Sequence, residues 1–223
     1  MNSQQVKQIL KEKSDVFSKY YSLLVEWNEK MNLTAITDYA DAEVKHFEDS
    51  LYGLPYVREG ATLCDVGTGA GFPGFPLKMA RPDINLTLMD SLNKRIVFLN
   101  EVSRQTDTPA NCVHIRAEDA GRGEYREKFD VVTARAVAKL NTLCEYCLPL
   151  VKKGGVFLAY KADVSEELEQ SKNAVKILGG EIAEVNRFCL SNGDARAIVV
   201  IKKVSPTPKA YPRGKGKERS KPL

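Results

Sequence analysis

The chain has 223 residues, of which 43% are hydrophobic and 28% charged, so it can bury one good core and leaves little room for a second full-sized domain. No apolar run approaches the roughly 20 residues of a membrane span, and residues 1–5 do not resemble the start of a signal peptide. The odd number of cysteines, five, indicates reduced thiols, and we expect a cytoplasmic protein that does not associate with membranes.

Residues 1–55 are predicted to form a helical N-terminal cap. Apolar side chains recur at close to helical spacing over residues 4–31, which predicts helices that pack on the rest of the chain. The polar stretch that follows contains His46 and Asp49. A single histidine is more often a packing residue than a catalytic one, so the sequence leaves the roles of both residues open.

A glycine-rich turn follows the first predicted strand and allows two interpretations. Residues 69–74 match the G-x-G-x-x-G pattern of a dinucleotide site, and Asp90 lies about 20 residues further on, where the ribose-binding acid of that fold is expected. Pro73 and Pro76, however, remove backbone N–H groups from the helix start that a pyrophosphate needs. The match by letter therefore does not favour a dinucleotide.

The same turn favours a different ligand when the motif is taken to start directly after Asp65. Here Asp65 ends the strand, and Gly67, Gly69 and Gly71 form a turn in which backbone can approach a ligand closely. A carboxylate at the bottom of the pocket repels a pyrophosphate and suits a ligand with ammonium and sulfonium cations, which is S-adenosylmethionine. A tight turn without any ligand is disfavoured, because three alternating glycines cost chain entropy.

Polar residues also follow the next three predicted strands. Asp90 ends the second strand, where its carboxylate can accept hydrogen bonds from ribose hydroxyls. Ala117 and Glu118 follow the third strand, where a backbone N–H and an acidic side chain can recognise adenine. Arg135 leaves the fourth strand at the same edge of the sheet, which predicts that it faces the ligand cleft.

Strands alternate with helices over residues 56–203, which predicts an α/β core. The predicted strands span residues 62–65, 84–89, 111–115, 129–137 including an exit loop, 156–160, 182–188 and 196–201, with helices at 91–105, 140–151 and 164–178. This order predicts a Rossmann-like S-adenosylmethionine-dependent methyltransferase fold, with a mostly parallel seven-stranded sheet closed by one antiparallel member.

The last residues, 204–223, are predicted to form a basic flexible tail. Residues 202–223 contain eight lysines and arginines against Glu218, a net charge of +7, whereas the whole chain carries only +4. Pro206, Pro208, Pro212 and two glycines argue against regular structure, and the charge favours binding to phosphates. No metal site is predicted, because Cys144 and Cys147 have no second cysteine pair to complete a zinc tetrahedron.

The residues at the end of the fourth strand limit which chemical groups can be the methyl acceptor. Residues 133–136 read T-A-R-A and lack the Asn/Asp-Pro-Pro-aromatic loop typical of exocyclic-amine methylation, and no cysteine falls in an active-site loop where it could attack a pyrimidine. Guanine N7 already offers a lone pair and needs only placement and donors to O6. Arg135, Arg196 and Arg213 are the candidate catalytic donors.

With these features the chain resembles, nearly end to end, the bacterial RsmG (GidB) family. The matching segments are N-L-T-A-I-T at 32–37, H-F-E-D-S-L at 46–51, D-V-G-T-G-A-G-F-P-G-F-P at 65–76, D-S-L-N-K-R at 90–95, R-A-E-D at 116–119, T-A-R-A at 133–136 and Y-P-R at 211–213. The resemblance implies a monomer that methylates guanine N7 in the decoding-region loop of 16S ribosomal RNA within the small ribosomal subunit. It also implies cofactor contacts at Gly67, Phe72, Ala117, Glu118 and Arg135.

Two alternatives remain open at this point. One is an RNA-binding module whose cofactor site only senses S-adenosylmethionine. The other is a methyltransferase that acts on a protein or a small molecule, which the basic tail disfavours.

Overall fold

The computed structural model describes residues 1–223 and contains a single seven-stranded sheet. The strands are β1 (Thr62–Val66), β2 (Asn85–Asp90), β3 (Asn111–His114), β4 (Phe129–Arg135), β5 (Val151–Lys161), β6 (Gly180–Cys189) and β7 (Ala195–Lys203). Their order in the sheet is β3-β2-β1-β4-β5-β7-β6. Only β7 runs against its neighbours β5 and β6, which confirms the predicted mostly parallel sheet with one antiparallel member.

Ten α-helices accompany the sheet. They are α1 (Ser3–Glu12), α2 (Ser14–Met31), α3 (Tyr39–Ala42), α4 (Asp49–Leu51), α5 (Gly74–Ala80), α6 (Asn93–Gln105), α7 (Ala117–Arg122), α8 (Leu140–Cys147), α9 (Ser165–Ile177) and α10 (Lys217–Ser220). A π-helical turn, Glu43–Glu48, joins α3 to α4, and 3-10 turns cover Leu54–Tyr56 and Leu148–Leu150. No helix is long and apolar enough to cross a membrane.

Alternation along the strands gives the sheet two apolar faces. Leu63 of β1 and Leu158 of β5 face one core together with α2, α5 and α6, whereas Cys64 and Phe157 face the other together with α8 and α9. The N-terminal helices share the first core with the sheet, as their apolar spacing predicted. Both faces of a parallel sheet are thereby covered, as such sheets require.

The predicted element boundaries differ most from the structure between residues 147 and 156. A helix was expected over residues 140–151, but α8 ends at Cys147, because Pro149 cannot continue the hydrogen-bond ladder and the chain tightens into a 3-10 turn. Strand β5 then starts at Val151, five residues before its predicted start at residue 156.

The predicted flexible tail is the larger difference, because residues 204–223 pack on the core. Arg126 donates to the carbonyls of Thr207 and Tyr211, and Arg213 forms an ion pair with Glu145 at 2.6 Å. Glu218, within α10, is fully buried. The tail is ordered because core side chains satisfy its backbone carbonyls, which composition alone does not reveal.

Candidate active site at the carboxyl edge of the sheet

A cleft opens where the carboxyl ends of β1 and β4 lie side by side. The chain builds the sheet outward from β1 in one direction and from β4 in the other, so this is the topological switch point where open α/β sheets bind ligands. Two adjoining cavities, of about 320 and 520 Å³, occupy the cleft, and Gly67 lines both of them.

The turn after β1 is held by β2. The Gly67 and Thr68 N–H groups donate to the Met89 carbonyl, and the Gly69 N–H donates to Asp90 Oδ2 at 3.0 Å. Gly69 has φ +60°, and a Cβ at this position would meet nothing within 4 Å, so the backbone is bare toward the cleft. This is the close-approach surface that the alternating glycines predicted.

Gly71 has a different role from the ligand contact that was predicted for it. A Cβ at Gly71 would lie 2.5 Å from the Tyr20 hydroxyl and 2.6 Å from the Phe75 ring, so the missing side chain makes room for α2 and α5. The Tyr20 hydroxyl donates to the Ala70 carbonyl, which ties the N-terminal helices to the turn.

Asp65 lies beneath the turn rather than in the cleft. Its side chain is fully buried and accepts hydrogen bonds from the Thr68 hydroxyl at 2.6 Å, the Thr133 hydroxyl at 2.9 Å and the Gly74 N–H at 3.1 Å. Burial raises its pKa to about 6, against the opposing effect of these hydrogen bonds. The expected carboxylate at the bottom of the pocket is therefore a brace that joins β1, the turn and β4, and neither cavity is lined by it.

The smaller cavity brings together the residues predicted to bind an adenosine. Asp90, Ala117 and Glu118 all line it, although they follow two different strands. Asp90 is only 2% exposed, and its carboxylate already accepts from the Leu92 N–H at 2.9 Å and pairs with Arg95 at 3.1 Å. These contacts fix the carboxylate at the cleft edge, where it can accept hydrogen bonds from hydroxyl groups.

The larger cavity centres on Arg135, which contacts the N-terminal cap. Its guanidinium donates to Asp49 Oδ2 at 2.7 Å and to the Lys45 carbonyl at 3.2 Å, and it lies 5.3 Å from the centre of the Phe72 ring. Asp49 is buried, so Arg135 supplies the positive charge that this carboxylate needs. Arg135 and Phe72 both line the cavity, as the sequence predicted.

His46, whose role the sequence left open, also lines this cavity. Its ring stacks on Phe72 at 4.4 Å, its Nε2 lies 3.0 Å from the Thr34 hydroxyl, and its Nδ1 lies 3.5 Å from Arg135. Burial and then the Arg135 charge lower its pKa to about 4. Since arginine can only donate, Nδ1 is the acceptor, and the ring is neutral at pH 7 with its proton on Nε2.

The other two arginines predicted to act in catalysis occupy different places. Arg196 lines the larger cavity, 3.9 Å from Asp49 and 3.2 Å from Asp194. Arg213 does not reach either cavity, because its guanidinium is paired with Glu145 on α8. The hydrogen bond to Glu145 raises the pKa of Arg213.

The sequence-based prediction did not identify several residues that line the two cavities. Lys161 ends β5 and lines the larger cavity, so the rule that pointed to Arg135, a basic residue at a strand's carboxyl end, could have found it. Lys45 lies one residue before His46 and carried no separate signal. Tyr146 and Arg219 line the smaller cavity, and only the packing of residues 204–223 brings Arg219 there.

The chemistry of the cleft fits S-adenosylmethionine. The carboxylate of Asp90 in the smaller cavity suits the ribose of an adenosine, and Gly67 joins this cavity to the larger one, which is lined by the bare backbone of Gly69 together with Phe72 and Arg135. No group of three or more histidine, cysteine or acidic side chains could hold a metal ion. No cysteine lines either cavity, and Cys144 and Cys147 are residues of α8 that are buried in the core.

Comparison with solved structures defines the fold. A methyltransferase from Pyrococcus furiosus superposes with a TM-score of 0.56 at 15% identity and covers 70% of this chain and 81% of its own. The 16S rRNA (adenine(1408)-N(1))-methyltransferase from Catenulisporales acidiphilia, solved with S-adenosylmethionine, superposes with a TM-score of 0.54 at 13% identity, over 72% of this chain and 92% of its own. The fold is that of the S-adenosylmethionine-dependent methyltransferases.

Sequence comparison then identifies the family. The GidB family, described as rRNA small subunit methyltransferase G, matches residues 13–198. The ribosomal RNA small subunit methyltransferase G of Lachnoclostridium phytofermentans is 51% identical over 96% of this chain and 90% of its own length. That of Staphylococcus aureus strain Newman is 48% identical over 97% and 92%. The chain belongs to the GidB, or rRNA small subunit methyltransferase G, family, and its cofactor is S-adenosylmethionine.

Proposed function

We propose that this protein transfers a methyl group from S-adenosylmethionine to N7 of a guanine in 16S ribosomal RNA. Its relatives carry the name of an enzyme acting on the RNA of the small ribosomal subunit, which supports the substrate class. The observation that carries the choice of N7 is that every acid or base in the larger cavity is already engaged. Asp49 is paired with Arg135, and neutral His46 contacts Thr34 and Arg135.

A methyl acceptor that must lose a proton needs a free base, and one attacked at carbon needs a nucleophile. The cavity offers neither, since its lining includes no cysteine and residues 133–136 form no amine-binding loop. Guanine N7 requires no proton removal, so the protein's task is to place the base in line with the cofactor's activated methyl group. Of the candidate arginines, Arg135 and Arg196 line the larger cavity, which supports them as donors to O6, whereas Arg213 does not line it.

The charge of the larger cavity favours a nucleic acid. Lys45, Arg95, Lys161 and Arg196 line it together with the Arg135–Asp49 pair, and each of these four is paired with a carboxylate outside the lining, so the side chains that face the cavity are mostly basic. Such a surface attracts a phosphate backbone, which supports RNA over a protein or a small molecule. The 16S RNA, free or within the small subunit or its precursor, is the partner that we propose.

The test is incubation of the protein and methyl-labelled cofactor with unmodified 16S RNA and with 30S particles, followed by nucleoside analysis. We expect label in 7-methylguanosine from at least one of the two substrates. Label in another nucleoside would contradict N7 chemistry. Cofactor binding in calorimetry with no label in either RNA would instead support the alternative of an RNA-binding module that senses the cofactor.

A further inference from the structure

The C-terminal segment, residues 204–223, crosses one face of the molecule from edge to edge. Because β7 is antiparallel, it ends at the edge of the sheet opposite the cleft, beside Gly179 at the end of α9. The chain then returns toward the cleft across the outer side of α7 and α8. Arg126 holds the first half of this path by donating to the carbonyls of Thr207 and Tyr211, at 2.6 and 2.8 Å.

Close packing fixes the second half of the path. Pro212 fits against Gly121 of α7, where a Cβ would lie 3.2 Å from the proline ring. Arg213 binds Glu145 of α8, and the Thr142 hydroxyl donates to the Glu218 carbonyl at 2.9 Å. The segment is therefore part of the folded core rather than a separate arm.

These contacts deliver Gly216 and Arg219 to the smaller cavity. There they line the same space as Asp90, Ala117 and Glu118. The Arg219 Nε donates to the Tyr146 hydroxyl at 3.3 Å, which orients the guanidinium, and its terminal nitrogens have no hydrogen-bond partner. No carboxylate lies within ion-pairing distance of Arg219, although Arg213 in the same segment is paired.

We propose that Arg219 binds the adenine of S-adenosylmethionine, so that the C-terminal segment forms one wall of the cofactor site. A planar guanidinium can stack on the face of a purine or donate to its ring nitrogens, and lysine can do only the second with comparable geometry. Glu118, which lines the same cavity, can accept from the exocyclic amine, so the two side chains are complementary to the ring's acceptors and donors. The proposal rests on the adenosine occupying the cavity lined by Asp90.

Calorimetric titration with S-adenosylhomocysteine and with adenosine tests this assignment. Arg219 is an exposed residue, and we expect Arg219→Ala to weaken both ligands by about three- to tenfold, as loss of a cation–π contact or a charged hydrogen bond implies. Arg219→Lys should fall between that variant and the unaltered protein. Lys221→Ala, which removes a positive charge from the same segment outside the cavity, should stay within about twofold.

Asp90→Ala separates the two ways in which the inference can fail. If Asp90→Ala weakens S-adenosylhomocysteine but Arg219→Ala does not, the adenosine site is correct and the role of Arg219 is wrong. If neither substitution changes the affinity, the placement of the adenosine itself is overturned. An equal loss of ligand affinity for Arg219→Ala and Lys221→Ala would show that Arg219 acts only through its charge, and this result would also contradict the proposal.

Discussion

The pair between Arg213 and Glu145 should stabilise the fold, and its removal gives a direct measure of how firmly residues 204–223 are held. The Glu145 side chain is 1% exposed and that of Arg213 is 22% exposed. Glu145 accepts from Arg213 Nε at 2.9 Å, from Arg213 Nη2 at 2.6 Å and from the Arg213 backbone N–H at 2.8 Å. Arg213→Ala would remove the guanidinium and leave a buried carboxylate with the backbone N–H alone.

Breaking a buried ion pair by removing one partner costs about 3–5 kcal/mol. The residual exposure of Arg213 and the remaining backbone donor place this case near the lower end, at about 3 kcal/mol. In a protein of this length, that loss corresponds to a fall of about 6–12 °C in the midpoint of thermal unfolding. Calorimetry and urea unfolding at pH 7 should both show it.

Arg104→Ala supplies a matched control. Arg104 donates from Nε and Nη2 to Glu101, but it is 68% exposed, so its loss should leave the free energy of unfolding close to that of the unaltered protein. A double-mutant cycle with Glu145→Ala isolates the pair. Destabilisation by Arg213→Ala of less than about 1 kcal/mol, together with additive effects in the cycle, would refute a folded C-terminal segment and restore the flexible tail that composition predicted.

Three further results are expected. Gly69→Val should abolish most cofactor binding in calorimetry because its side chain enters the cleft. The control is Gly60→Val, at φ +65° and also with nothing within 4 Å of its Cβ, which should reduce stability without affecting cofactor binding. Equal cofactor affinities for the two variants would contradict the role of the turn. The free energy of unfolding should fall as pH drops from about 6.5 to 4. In this range His46 is protonated in the unfolded chain but remains neutral in the folded chain, where its pKa is lowered to about 4. His46→Gln should therefore flatten the pH dependence measured in urea titrations. Asp65→Asn should make the free energy of unfolding fall more steeply with decreasing pH. The reason is that Asp65, with its pKa raised to about 6, takes up a proton in the folded state and so stabilises the fold as pH drops. An unchanged slope would show that Asp65 is not buried as an ionisable group.

Local sequence patterns determined the elements of this protein and the edge at which its site lies. The nearly continuous apolar runs of β1 and β4 indicate that both of their faces are buried, and parallel strands place Asp90 and Arg135 at the same edge of the sheet. The glycine turn could be recognised because a bare backbone at Gly69 is a property of the chain itself. These inferences needed only short-range periodicity and the rules of sheet topology.

Tertiary packing decided which side chains meet. Arg213 and Glu145 are 68 residues apart, and nothing near either residue shows that one neutralises the other. Asp65 was expected to face the ligand, yet hydroxyls from Thr68 and Thr133 turn its carboxylate under the turn. A charged side chain in a basic segment can face solvent, RNA or the protein's own core. Which of these it contacts depends on residues that only the completed fold brings close to it.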